Sequence, residues 1–238
     1  MLKYKRVVIK LSGESLSGMD INGTVFNNQI LQKIARSIKL LYEADVDVAI
    51  VVGAGNIFRG KMAKDMNIDR SSADYMGMLG TIINALALQG VIESLGIPTR
   101  VQTALQINQV AEPYIRRRAI RHLEKKRVVI FGGGTGNPYF TTDTSAALRA
   151  KEIDAELLIM VKNGVDGVYS ADPKKDTTAY KIDSLSYMDV LNKSLAVMDN
   201  TAISLCMDNN LKIIVTNLDD EENLLKIVKG EEIGTIIS

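Results

Sequence analysis

Residues 7–15 read VVIKLSGES. Val7, Val8 and Ile9 are apolar and β-branched, Lys10 interrupts them, Leu11 resumes the run, and Ser12-Gly13 turns the chain. A run of this kind suits a strand covered on both faces, since a strand with one wet face alternates polar and apolar residues. The pattern spans residues 6–11 (RVVIKL) and returns at 46–52 (VDVAIVV), 127–131 (RVVIF), 157–161 (LLIMV) and 213–216 (IIVT), so these five strands are expected to be buried.

Helical patterns separate the strands. Ile30, Leu31, Ile34, Ile38 and Leu41 share one helical face, with Asn27 or Asn28 as its cap. Residues 71–95 read as a long helix opened by Ser71 and Asp74 in capping-box-like spacing, and residues 199–209 and 221–229 as later helices. Alternating strands and helices predict an α/β protein, a three-layer α/β/α sandwich with a mainly parallel central sheet. No repeat or Pro/Ser-rich linker divides the 238 residues, so one domain spanning 1–238 is expected.

Apolar residues make up 46% of the chain, charged residues 24%, and the net charge is +1. Such a chain has no general attraction for nucleic acid or an anionic membrane surface. Cys206 is the only cysteine, which excludes an intrachain disulfide, and His122 is the only histidine. That scarcity sets aside zinc sites and histidine-based triads. His122 lies in a basic stretch, residues 116–127 (RRRAIRHLEKKR), which reads as a solvated helix face with the histidine on the surface. The apolar run at residues 7–9 is too short for a signal peptide. No apolar stretch is expected to approach the roughly 20 residues of a membrane span, so a cytoplasmic, membrane-free protein is the expectation. Met76, Met78, Met188 and Met198 read as core filler.

Three glycine-rich turns follow strands: LSGES, GAGNIFRG at residues 53–60, and GGGTGNPYFTTDTS at residues 132–145. Glycine lets the backbone approach a phosphate, and successive N–H groups at a helix start form an anion nest. In open parallel sheets ligands bind beyond the carboxyl ends of the strands, so three such loops at one edge imply a phosphate-rich ligand. GNIFRGKM, residues 55–62, comes close to a P-loop, but Met62 stands where that pattern needs a Mg²⁺-binding hydroxyl. The remaining chemistry is that of Lys10, Arg59 and several aspartates without a base. It fits phosphoryl transfer to an acceptor already ionised, because a phosphomonoester with a second pKa of about 6 is mostly dianionic at pH 7. Such a reaction needs cations, N–H groups and Mg²⁺ to neutralise the transferring group. Asp143 either caps the helix that follows Thr142, lies near the metal, or orients a lysine.

VVIKLSGES, GAGNIFRG, the DYMGM stretch at residues 74–78, GTGNPYFTTD at 134–143 and NGVDGVYSADP at 163–173 occur in that order. Together they resemble the bacterial uridylate kinases of the amino-acid-kinase superfamily, over essentially the whole chain. The TGNPYFTTD loop sets these apart from the carbamate and acetylglutamate kinases. The resemblance implies transfer of the γ-phosphoryl group of ATP to UMP in pyrimidine nucleotide biosynthesis, with Mg²⁺, a homohexamer, inhibition by UTP and, in many members, activation by GTP. It places Lys10, Leu11, Ser12 and Gly13 at the ATP phosphates, with Gly55 and Arg59 as further ATP contacts. Asn163, Tyr169 and Asp172 fall on the adenosine side, where the spacing around Asn163 differs from that of some relatives and Lys162 is a candidate second clamping lysine. The UMP side takes Ala54, Asp74, Thr135, Gly136, Asn137, Pro138, Tyr139, Phe140, Thr141 and Thr142. Ala54 stands where many members have glycine, and Gly18 to Gly23 (GMDING) where responsive members carry an effector-linked loop. Two rivals stay open: a related enzyme acting on a small carboxylate or carbamate, and a nucleotide-binding regulator without turnover.

Overall fold

The computed structural model describes residues 1–17, 24–173, 175–192, 195 and 197–238; the GMDING segment lies outside the described residues. In chain order the elements are β1 (Arg6–Leu11), α1 (Glu14–Ser17), α2 (Asn28–Glu43), β2 (Asp47–Val52), α3 (Gly60–Asp65), α4 (Arg70–Ser94) and β3 (Thr99–Thr103). There follow β4 (Glu112–Pro113), α5 (Arg116–Glu124), β5 (Val128–Gly132), α6 (Thr142–Glu152), β6 (Leu157–Val161), β7 (Val168–Tyr169) and β8 (Lys181–Ile182). The chain ends with β9 (Ser184–Leu185), α7 (Tyr187–Asn192), α8 (Asn200–Asp208), β10 (Ile213–Thr216), α9 (Asn223–Lys229) and β11 (Thr235–Ile237).

The described residues form a nine-stranded sheet in the order β4-β3-β5-β2-β1-β6-β10-β11-β9, and a small antiparallel ribbon of β7 and β8. Within the large sheet β10–β11 is the antiparallel pair; the others run parallel. The first half of the chain builds outward from β1 on one side and the second half on the other, which puts the reversal of strand order beside β1.

Side-chain alternation divides the core into two layers. Val7, Ile9 and Leu11 of β1 pack with Ile34, Ile38, Leu88 and Ile227, from α2, α4 and α9. Val8 faces the opposite layer with Leu123, Ala147, Ile153 and Ile203, from α5, α6, the turn after α6, and α8. These side chains are buried, and each of the valines, leucines and isoleucines contributes about 1.5–3 kcal/mol of apolar burial. By the same alternation Lys10 lies on the Val8 face, at the carboxyl end of β1.

All five expected strands are present, with β2 and β5 each starting one residue later than the sequence reading. Thr99–Thr103 carries no strand signal, because Thr99, Gln102 and Thr103 are polar yet buried. Four expectations are corrected. The long helix begins at Arg70 with Asp69 as its cap, accepting from the Ser72 N–H; Asp74 lies a turn further in. His122 is buried, bonded to Glu112 at 2.9 Å and facing Arg127 at 3.2 Å, because α5 turns its apolar edge and this histidine towards the sheet. Helix α4 is long and apolar enough to cross a membrane, yet Ala85, Leu88 and Ile92 are fully buried in the sheet-facing layer, while Tyr75, Met76, Leu79 and Ile83 are exposed. Met78 and Met198 are buried, whereas Met76 and Met188 are exposed.

Asp199 joins two helix starts. It caps α8 by accepting from the Ala202 N–H at 2.9 Å, and it accepts from the hydroxyls of Thr144, at 3.0 Å, and Thr141, the cap of α6. Asp199→Ala removes the cap and leaves the buried Thr144 hydroxyl without its acceptor. The expected loss is about 1–2 kcal/mol, seen as a fall of several degrees in the thermal midpoint; an unchanged midpoint would show that the joint is not structural.

Candidate active site

The carboxyl ends of β1, β2, β5 and β6 meet at the reversal of strand order, and each runs into a candidate loop. The first two loops are packed against each other. A Cβ on Gly13 would lie 2.3 Å from the Gly55 nitrogen, so residue 13 is confined to glycine by the close approach of the two backbones. Asn84, fully buried on α4, donates to the Gly53 carbonyl at 2.7 Å and to the Asn56 side chain at 2.8 Å, which pins the second loop. The third loop is tied to α4 as well, since the buried Thr81 hydroxyl accepts from the Gly133 N–H at 2.7 Å. Gly133, Gly134 and Gly136 have φ of 76°, 59° and 83°, left-handed values that glycine adopts without strain.

Lys10 Nζ lies 2.8 Å from Asp143 Oδ1, with both side chains largely buried. The pairing follows from the fold: Lys10 points to the face on which α6 packs, and Asp143 is in the first turn of α6. Lys162 follows β6 and joins this pair. Burial holds its ammonium below the usual lysine range, against the attraction of Asp143 and together with the repulsion of Lys10. Lys162 Nζ donates to the Val197 carbonyl. Lys10 pairs with Asp143, and Lys162 lies near enough to feel both charges, so two ammonium groups accompany one carboxylate and leave a positive charge suited to an anion.

A cavity lies on each side of this cluster. One, of about 250 Å³, is lined by Ala54, Gly55, Phe58, Asp74, Gly77, Met78, Thr81, Thr135, Asn137, Phe140, Thr141 and Thr142, among others. The other, of about 460 Å³, is lined by Lys162, Val165, Val168, Tyr169, Asp172, Pro173, Val197 and Val215, among others. Lys162 borders the second cavity, and Thr142, the chain neighbour of Asp143, borders the first.

The sequence-read residues divide among these places. Lys10 and Asp143 form the centre, Ser12 hydrogen-bonds Ser15 within the first loop, and Leu11 is fully buried, with no exposed surface for a ligand. Arg59 stands at the surface, its guanidinium 2.9 Å from Glu14 and its Nε donating to the Gly55 carbonyl at 2.9 Å. Asp74 borders the smaller cavity, held by Arg70 at 3.1 Å and by the Tyr139 N–H at 2.7 Å. Tyr139 has φ of 73°, a strained value for a side chain of its size. Its ring lies 5.4 Å from the Arg70 guanidinium, and with Gly136 and Pro138 it stands outside the cavity lining. Asn163 borders a cleft with Ser15, Lys33 and Asp219, and this cleft shares Lys162 with the cavity of Tyr169 and Asp172. The sequence reading missed the support by Asn84, Thr81 and Asp199. The signal for Asn84 is one amide inside the apolar run TIINALAL of α4.

The sequence profile of the amino acid kinase family matches residues 5–217. Among solved structures, the chain is similar to UMP kinase from Bacillus anthracis, at 45% identity and a TM-score of 0.95, over 99% of this chain and 96% of that one. It is similar to UMP kinase from Ureaplasma parvum at 37% identity and a TM-score of 0.92, with both chains covered throughout. Similarity to uridylate kinase from Archaeoglobus fulgidus is 33% in identity with a TM-score of 0.75, over 98% and 99% of the chains.

Ala54, in the lining of the smaller cavity, packs against Gly80 of α4. A Cβ on Gly80 would meet the Ala54 methyl at 2.9 Å, too close to be accommodated without movement. Replacing a helical glycine with alanine ordinarily stabilises by up to about 1 kcal/mol, whereas overpacking costs about 1–3 kcal/mol. Gly80→Ala is therefore expected to destabilise the protein, and to become stabilising once Ala54→Gly has made room. Chemical denaturation of the two single variants and the double variant reads the change of sign; equal effects in both backgrounds would deny the contact.

Proposed function

The chain belongs to the amino acid kinase family, and we propose that it is a UMP kinase, transferring the γ-phosphoryl group of ATP to UMP to give UDP and ADP for pyrimidine nucleotide synthesis. The observation that carries this reading is the cationic Lys10–Asp143–Lys162 cluster between two cavities. The larger cavity, with Tyr169 and Asp172, takes the adenosine side of ATP, and the smaller, with Asp74 and the 135–142 loop, takes UMP. An oxygen of the UMP phosphate forms the new bond to the γ-phosphorus while the bond to the bridging oxygen of ADP breaks. The acceptor is already ionised, so no proton needs to be removed and the lack of a nearby histidine is no obstacle.

The protein's contribution is placement and charge. Lys10 and Lys162 neutralise the transferring group, and Asp143 holds the Lys10 ammonium and lowers its repulsion with Lys162. Arg59 adds a cation from the loop beside the smaller cavity. Asp74, kept in place by Arg70 and the Tyr139 N–H, accepts from a ribose hydroxyl, since a carboxylate repels the acceptor phosphate. Mg²⁺ typically binds through one or two carboxylates plus substrate phosphates and water. Asp143 fits that donor set as its one protein carboxylate, and the metal brought with ATP supplies further charge neutralisation. Inhibition by UTP, a homohexamer and a cytoplasmic location belong to the same reading. The exposed apolar stripe of Tyr75, Leu79 and Ile83 on α4 supports self-association.

Coupled ADP release, measured with UMP, CMP, dTMP, carbamate and N-acetylglutamate as acceptors, tests the assignment; activity with UMP well above the others is expected, and a preference for carbamate or N-acetylglutamate would refute it. Lys10→Met and Lys162→Met are each expected to lower kcat by roughly 10²-fold, the scale for losing one preorganised charge-stabilising group. Their stabilities should diverge: Lys10→Met strands Asp143 and lowers the thermal midpoint, whereas Lys162→Met removes a desolvated cation and leaves the midpoint unchanged or higher. Full activity in either folded variant would remove that lysine from the mechanism.

A further inference from the structure

We propose that Glu14 is a positioning residue for Arg59, and that through it the first phosphate loop sets the cation of the second; this rests on the kinase reading above. Glu14 opens α1, directly after Gly13 of the first loop, and its Oε1 lies 2.9 Å from the Arg59 guanidinium. The same guanidinium donates from Nε to the Gly55 carbonyl at 2.9 Å. The two acceptors come from different loops, so the guanidinium plane is held from two directions.

Arginine carries five N–H donors. The Gly55 carbonyl takes the Nε–H and Glu14 pairs with the charge at Nη2, which leaves guanidinium N–H groups over for an anion. An arginine on a surface loop has many rotamers, and fixing the plane beforehand removes the entropy of searching among them when the phosphates arrive. The carboxylate is also placed with little room to spare. A Cβ on Gly55 would lie 3.2 Å from Glu14 Oε1, so the lack of a side chain at residue 55 is what lets the carboxylate settle over the loop.

Stability does not account for the contact. The Arg59 and Glu14 side chains are 61% and 47% exposed, and an ion pair that open to water contributes little to folding. Its effect is orientation, which kinetics detects and thermal melting does not.

Steady-state ADP release with ATP and UMP, together with thermal melting, is measured for wild type, Glu14→Gln, Glu14→Asp, Arg59→Ala and the Glu14→Gln/Arg59→Ala double variant. Glu14→Gln keeps the shape and loses the charge, and Glu14→Asp keeps the charge and withdraws it by one methylene. Both are expected to lower kcat about tenfold, as a misplaced charge-stabilising group does, with no change in the melting midpoint. The double variant should be no slower than Arg59→Ala alone, because Glu14 acts only through that guanidinium. Wild-type kcat in Glu14→Gln, a faster Glu14→Gln, or multiplied defects in the double variant would each overturn the proposal. No UMP-dependent ADP release by the wild type would instead refute the kinase reading, so the two failures are distinct.

Discussion

The Lys10–Asp143 ion pair exists because β1 runs parallel between β2 and β6. In that position an apolar strand can carry one lysine at its carboxyl end: the backbone is satisfied on both sides, and the side chain emerges where the helices no longer cover the sheet. The alternation of β1 sends Lys10 towards α6, and the threonine-capped start of α6 presents Asp143 to meet it. Parallel pairing with β6 brings Lys162 to the same edge. The two ammonium groups would repel each other in a partly desolvated place, and the Asp143 carboxylate, paired with Lys10 and attracting Lys162, offsets that repulsion while leaving the site cationic.

The loops around this centre are held by contacts that carry no charge. Gly13 lies against the backbone of residues 54–55, Asn84 fastens the second loop, and Thr81 fastens the third. Helix α4 is thus a shared support for both loops beside the smaller cavity, and it also contributes Asp74 to that cavity. This division of roles explains its unusual composition. The helix is apolar enough to resemble a membrane span, and the buried Asn84 and Thr81 within it are polar positions with defined partners.

Much of this was legible in the sequence, and the residues show why. The five buried strands stand out because β-branched runs have few other uses, and the glycine loops because they punctuate those runs. The Thr99–Thr103 strand was hidden by its buried polar side chains: the Thr99 and Thr103 hydroxyls and the Gln102 amide N–H find hydrogen-bond partners in the fold, which composition does not reveal. His122 was misjudged because its neighbours in the chain are arginines, whereas its neighbours in space are Glu112, Arg127 and the sheet. The sequence singled out Lys10, Arg59 and Asp143 by type and place in the loops, but the pairing of Lys10 with Asp143 and the company of Lys162 depend on where strands end in space. Asp74 lies within its helix, because Asp69 occupies the cap.

The short segment from Val197 to Asp199 touches both sides of the cluster. The Val197 carbonyl receives the Lys162 ammonium, and two residues later Asp199 receives the hydroxyls of Thr141 and Thr144 at the start of α6. The segment is therefore a mechanical yoke: a shift of its backbone displaces a lysine on one wall and the helix bearing Asp143 on the other at the same time. The two walls of the cleft are joined here through one short segment, and a sequence change at residues 197–199 bears on the partners of both.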